Sequence, residues 1–236
     1  MGTARANLAP PDAAAAGDRR PLRSRSSRWA GALAAHLIRR GVSPNAISVA
    51  SVAFAGAGAL GLVLARADQL PAVLVDLLYL LAIVGIQGRL VCNLLDGMVA
   101  VEGGKGGPAG GVYNDLPDRL ADPILLVAAG YGTNLWLGPE VGWLAAAGAL
   151  LTAYVRVLGR SIGANTYFTG PMAKQHRMAV LTAACAVGAV VAWVPLAGGL
   201  RHWVMFAALA GIAGGCGVTV VRRVRLIVRD LEANKR

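Results

Sequence analysis

The chain has 236 residues, 56% hydrophobic and only 15% charged, with a formal net charge of +11. Soluble domains run near ~25% charged, so the composition points to the membrane class, and the length suits about six spans of ~20 residues each. The basic residues lie beside apolar stretches with no nucleic-acid-binding motif among them, which reads against nucleic acid as a partner.

Residues 1–26 are poor in large apolar residues, contain Pro10, Pro11 and Pro21, and are expected to be a disordered tail without the apolar core of a signal peptide. Residues 27–40 read SRWAGALAAHLIRR. Trp29, Leu33, Leu37 and Ile38 fall near one helical face with arginines at both ends, the pattern of a short interfacial amphipathic helix. Ser43-Pro44-Asn45 is a helix start, with serine as cap and proline in the first turn. Six apolar stretches follow, at about 46–65, 71–97, 114–137, 141–162, 177–196 and 201–221. The fold expected is therefore all-α and integral to the membrane, over residues 27–225, with a basic, polar C-terminal tail at 226–236.

Six spans put both termini on one side. That side holds the eight arginines before residue 46, then Lys105, Lys174, Arg177 and the basic C-terminus, whereas the opposite loops offer Arg66 and Arg201. The positive-inside rule then places both termini in the cytoplasm, in a multi-pass protein of the cell membrane. Cys92, Cys185 and Cys216 have no zinc-site or disulfide spacing and read as small buried residues. His36, His176 and His202 lack metal-ligand spacing and read as interfacial, and the five tryptophans fit interfacial belts.

Polar chemistry concentrates around the glycine-rich stretch Gly103 to Gly111, which has six glycines, one proline and Lys105. Asn93 and Asp96 are three residues apart, Asn114 and Asp118 four apart, so each pair shares a helix face. Asp115 and Asp122 extend the second stripe. Facing one another at the cytoplasmic ends of spans two and three, these oxygens suit Mg²⁺ or Mn²⁺, hard cations that prefer oxygen ligands. Gly97, Ala100 and Gly110 remove bulk where a nucleotide would approach. Arg89, one to two turns earlier, is a counter-charge for the acids, and Asp122 is positioned to cap or to pair with Arg119.

The string NLLDGMVAVEGGKGGPAGGVYNDLPD at 93–118 resembles the signature of the CDP-alcohol phosphotransferases, Asp-x2-Asp-Gly-x2-Ala-Arg-x8-Gly-x3-Asp-x3-Asp. Asp96, Gly97, Ala100, Gly110 and Asp118 match in type and place. The start GVSPNAISV of span one, AYVRVLGRSIGA at 153–164 and GPMAKQHRM at 170–178 are also similar to segments of that family. The resemblance implies transfer of a phosphatidyl group from CDP-diacylglycerol to an alcohol, releasing CMP, in a homodimer. It implies metal ligands at Asn93, Asp96, Asn114 and Asp118, with Asp115 as a substitute donor. It makes Asp118 the general base and Gly97, Ala100 and Gly110 the nucleotide contacts. Arg156, Lys174 and Arg177 lean the acceptor toward a phosphorylated polyol, such as glycerol 3-phosphate or an inositol phosphate.

Three positions depart from the pattern. Asn93 and Asn114 stand where the family has aspartates, and Val101 replaces the motif arginine. An amide oxygen can ligate a hard cation but brings no charge, so both changes weaken divalent binding. Asp115 lies about 100° around the helix from Asn114 and needs a local distortion to share its ion. Glu102 is a further donor of charge beside the glycine stretch. The rival expectation is a weak or inactive relative that binds a CDP-lipid as an accessory subunit. A small transporter is disfavoured, because no repeat is visible and the acids lie at one end of the spans.

Overall fold

A computed structural model describes residues 27–104, 110–194 and 199–233, with the side chain of Asn114 left undescribed. The tail at 1–26, Lys105 and the last three residues fall outside the described part. Among the described residues there are seven helices and no strand: α1 (Arg28–Arg39), α2 (Pro44–Leu64), α3 (Ala72–Glu102), α4 (Gly110–Gly132), α5 (Gly138–Ser161), α6 (Lys174–Val191) and α7 (Leu200–Ala233).

The helix starts follow local chemistry. Ser43 caps α2 by accepting from the Ala46 amide at 3.2 Å, with Pro44 in the first turn. The short helix α1 presents Trp29 and Leu33 outward, while Ala30 and Ala34 are buried among Ile47, Leu94, Leu95 and Met98. The last helix continues past the expected end of its apolar stretch to Ala233. There Ile227 packs with Val155 and Ala164, and Leu231 lies against them.

Among the described residues four helices, α2, α3, α5 and α7, are long and apolar enough to cross a membrane. Two of the six expected spans fall short for a visible reason. Helix α4 carries Asp115, Asp118, Arg119 and Asp122, and α6 opens on Lys174, Gln175, His176 and Arg177. The charges that lower their hydropathy are those of the polar cluster described below.

Close helix contact rests on small residues, as lipid-embedded bundles require. A Cβ built on Gly85 of α3 would lie 2.5 Å from the Gly58 Cα of α2, and one on Gly142 of α5 would lie 2.9 Å from the Gly130 Cα of α4. The shared core runs from Ala55 and Leu62 through Tyr79, Ile86, Leu125 and Leu126 to Met178, Leu181, Leu209 and Ile212. Cys92, Cys185 and Cys216 are free and buried, as expected. All five tryptophans are exposed, Trp136 most of all at 86%.

Candidate functional site

The polar side chains of α3, α4 and α6 meet at the end of the bundle where α3 leads into the glycine stretch. The deepest is Arg89 of α3, with no exposed surface. A guanidinium out of water requires carboxylate partners. It has two on α4: Asp122 Oδ1, and Asp118 Oδ1 at 3.2 Å. Arg177 of α6 is also buried and donates to Asp122 Oδ2 at 2.7 Å, to the Met172 carbonyl at 2.9 Å and to the Thr152 hydroxyl at 3.3 Å. Asp122 is thus gripped from both sides. The expected pairing of Asp122 with Arg119 does not form: Arg119 reaches Asp115 instead, at 2.9 Å and one helical turn away.

Asp118 lies one turn nearer the glycine stretch and is 16% exposed at its side chain, against 5% for Asp122. Its Oδ1 accepts from the Asn93 amide as well as from Arg89, and its Oδ2 from the Lys174 ammonium at 2.5 Å. Lys174, 26% exposed, is the outward member of the group. Asp96 of α3 is buried and held differently. Its Oδ2 accepts from the Ser48 hydroxyl of α2 at 2.6 Å, and its Oδ1 from the Gly97 amide at 2.6 Å. Asp115 turns toward α5, where Arg156 donates to it at 3.4 Å and lies 5.5 Å from the Phe168 ring centre. That ring distance is in the cation–π range.

The expected site residues therefore fall into three sets. Asn93, Asp96 and Asp118 gather at one end of the bundle, with Lys174 beside them. Asp115 and Arg156 form a half-exposed pair between α4 and α5. Arg177 is buried in the grip on Asp122. The Asn114 side chain lies outside the described residues. Gly110 has open space around it, since a Cβ built there meets nothing within 4 Å, and Ala100 is half-buried on α3. Three participants are not legible in the sequence. Ser48 and Thr152 look like ordinary helix hydroxyls, and Phe168 sits in a connecting loop. Ser48 carries no signal of its own, because a helical serine can satisfy its hydroxyl on its own helix, as it also does here at the Pro44 carbonyl at 3.1 Å.

The donors at hand are hard oxygens, the right chemistry for Mg²⁺ or Mn²⁺. Their charge is low for the task. Among the described residues no three Asp, Glu, His or Cys side chains gather as a metal-ligand group. Both oxygens of Asp118 already accept from protein donors. Asp96 and Asp118 bring two negative charges and the Asn93 amide none, a donor set better suited to a single hard cation than to a pair.

No family model matches the sequence, and no curated protein sequence matches it. Solved structures do. The fold is similar to that of phosphatidylinositol phosphate synthase from Mycobacterium tuberculosis with CDP-DAG bound, at TM-score 0.66 and 16% identity over 85% of this chain and 94% of that chain. The same enzyme in complex with manganese and citrate matches at TM-score 0.64 and 16% identity, covering 84% of this chain and 88% of that one. Its apo form matches at TM-score 0.63 and 16% identity, covering 83% and 94%. At this identity the likeness establishes a shared fold.

Proposed function

We propose that the chain is a CDP-alcohol phosphatidyltransferase that moves the phosphatidyl group of CDP-diacylglycerol to an alcohol and releases CMP. The observation that carries this reading is the contact of Asn93 with Asp118 across two helices, with Lys174 on the same carboxylate and Asp96 one turn along from Asn93. The spacing of 93–118 and the shared fold with an enzyme whose structure holds CDP-DAG support it.

In this reading all six long helices span the bilayer, α1 lies in the interface through Trp29 and Leu33, and both termini and the site face the cytoplasm. The membrane domain covers 27–225, with tails on either side, and the chain works as a homodimer. Asp118 accepts the proton of the acceptor hydroxyl as that oxygen forms its bond to the lipid-linked phosphorus. The phosphoanhydride bond breaks and its bridging oxygen leaves with CMP. Asp118 Oδ1 already accepts twice and Oδ2 once, so the hydroxyl approaches Oδ2 from the Lys174 side. Lys174, 26% exposed where Arg89 is fully buried, is the cation able to swing away, and its ammonium then faces the acceptor. Arg156 joins it there, which favours an acceptor bearing a phosphate. Gly97, Ala100 and Gly110 leave room for the nucleotide. Arg177 orders the site by fixing Asp122 and does not reach the acceptor directly. Asn93, Asp96 and Asp118, with Asn114 and Asp115 nearby, would hold Mg²⁺ or Mn²⁺, which when bound neutralises the phosphates and the leaving group.

The test is CMP release by purified protein in lipid, with CDP-diacylglycerol, Mg²⁺ or Mn²⁺, and glycerol 3-phosphate, inositol phosphate, inositol, serine or glycerol as acceptor. Release with a phosphorylated acceptor, lowered by roughly 10²–10⁴-fold in Asp118→Ala, is expected. Binding of the CDP-lipid with no release for any acceptor would refute the transferase reading.

A further inference from the structure

We infer that this chain holds at most one divalent cation, and that Lys174 and Arg89 supply at Asp118 the positive charge a second cation would bring. The inference rests on the transferase reading of the site and adds to it how the site's charge is balanced.

Three observations carry it. First, every described carboxylate of the cluster is already partnered by protein: Asp118 by Lys174, Arg89 and Asn93, Asp122 by Arg89 and Arg177, Asp96 by Ser48 and the Gly97 amide, and Asp115 by Arg119 and Arg156. Three of the four carboxylates, Asp115, Asp118 and Asp122, face five cationic side chains, and Asp96 is held by neutral donors, so the cluster carries no net negative charge before any metal enters. Two divalent ions would add four positive charges to a group with none to compensate, and affinity for hard cations follows ligand charge.

Second, Asn93 is what permits this arrangement. Its amide nitrogen donates to Asp118 Oδ1. An aspartate at 93 has no proton to donate, and two carboxylates in contact repel unless a cation sits between them. The change from carboxylate to amide therefore removes a metal ligand and supplies a hydrogen-bond donor in one step.

Third, Lys174 is held where an ion would compete for it. Its ammonium is 2.5 Å from Asp118 Oδ2, on the more exposed side of the cluster, while Arg89 secures the buried side. An ammonium presents a compact point charge, the closest side-chain substitute for a bare cation.

The experiment is a Mn²⁺ titration of the full chain in nanodiscs, reading free Mn²⁺ by electron paramagnetic resonance and heat by calorimetry, without substrate. Wild type is expected to bind one Mn²⁺ per chain or none. Asn93→Asp/Asn114→Asp is expected to gain a further ion. Lys174→Met, which frees an oxygen of Asp118 and removes a positive charge, is expected to tighten Mn²⁺ binding by about tenfold. Two ions on wild type would overturn the inference. So would an unchanged stoichiometry in a folded Asn93→Asp/Asn114→Asp protein, or unchanged or weaker binding in Lys174→Met. If the double variant does not fold, Lys174→Met decides alone. CMP release on the same preparations separates the two readings. Wild type that binds two ions and releases CMP refutes this inference and leaves the transferase standing. Wild type that binds one ion, with tighter binding in Lys174→Met and no CMP release under any condition, does the reverse.

Discussion

The bundle carries charged clusters at both ends, built in opposite ways. At the end away from the glycine stretch, Asp68 in the turn between α2 and α3 is 57% exposed at its side chain, and its partners Arg201 and His202 are the buried members. His202 meets it at 2.8 Å, Arg201 at 3.6 Å, and Asn134 donates to its other oxygen at 3.2 Å. Asp76 nearby accepts from the exposed Trp193 indole at 2.7 Å. Water still solvates Asp68, so these contacts fasten loops together at little electrostatic cost. At the site end the carboxylates of Asp96 and Asp122 are buried, and protein donors replace water. Beside those two acids, Asp118 and Lys174 are the members that reach outward. An acid shielded from solvent on all sides but one is directed at whatever arrives from that side. The fastened end has no such direction.

The sharpest way to break this contrast is Asp122→Asn. The change leaves Arg89 and Arg177 buried around a neutral amide, and loss of one partner from a buried pair costs about 3–5 kcal/mol. Thermal unfolding in detergent should show a larger drop than for Ser48→Ala or Asp68→Asn, with loss of CMP release. An Asp122→Asn protein that melts like wild type would mean the grip on α3, α4 and α6 does not hold the site. Ser48→Ala sharpens the comparison from the other acid. It removes the side-chain donor to Asp96 and should cost about 1.5–3 kcal/mol, the range for a hydrogen bond to a charged group. An unchanged melting temperature would show that water takes the place of the serine hydroxyl, and hence that Asp96 is less shielded than its burial indicates.

Much of the site end is legible in the sequence because its residues recur at helical spacing on two adjacent helices. Asn93 with Asp96, and Asp118 with Asp122, are each within one turn, and Arg89 sits one turn before Asn93, so a shared face and a counter-charge follow from geometry alone. Pairing across long separations is not legible. Ser48 and Asp96 lie on different helices, and Ser48 and Ser51 both reach a carbonyl of their own helix, so the sequence does not say that Ser48 alone also meets an acid. Arg177 reads as a loop cation because its neighbours Lys174 and His176 are cationic or polar. Its burial depends on Thr152 and Asp122 arriving from α5 and α4. His202 reads as interfacial but is buried against Asp68, a contact between opposite halves of the chain. The six apolar stretches correspond to six long helices among the described residues, four of them long and apolar enough to cross a membrane. The end of α7 lies beyond its expected place because its arginines resemble a tail, while Ile227 and Leu231 between them supply the apolar face that keeps it helical.

The smallest effect is expected at the fastened end, where it is also the most readily separated by pH. The hydrogen bond from His202 is the leading reason that the Asp68 carboxyl sits below the usual carboxylate range, aided by the charges of His202 and Arg201 and opposed by its partial burial. A carboxylate with a depressed folded pKa stabilises the fold above its unfolded value, near ~3.9, and that contribution disappears as pH falls through the folded value. Asp68→Asn should therefore lower the melting temperature slightly at neutral pH, by an amount equivalent to less than about 1 kcal/mol because the carboxylate is largely solvated. The gap between variant and wild type should narrow once pH drops below about 4 and close at more acidic pH. Measuring both proteins across that range isolates Asp68 from the other acids, which titrate in both. A gap that stays constant into acid would mean the carboxylate charge contributes nothing and that the loops are held by Arg201 on the Ala67 carbonyl, at 2.9 Å, alone. The contrast between the two ends would then lie in packing and not in how each keeps its charge from water.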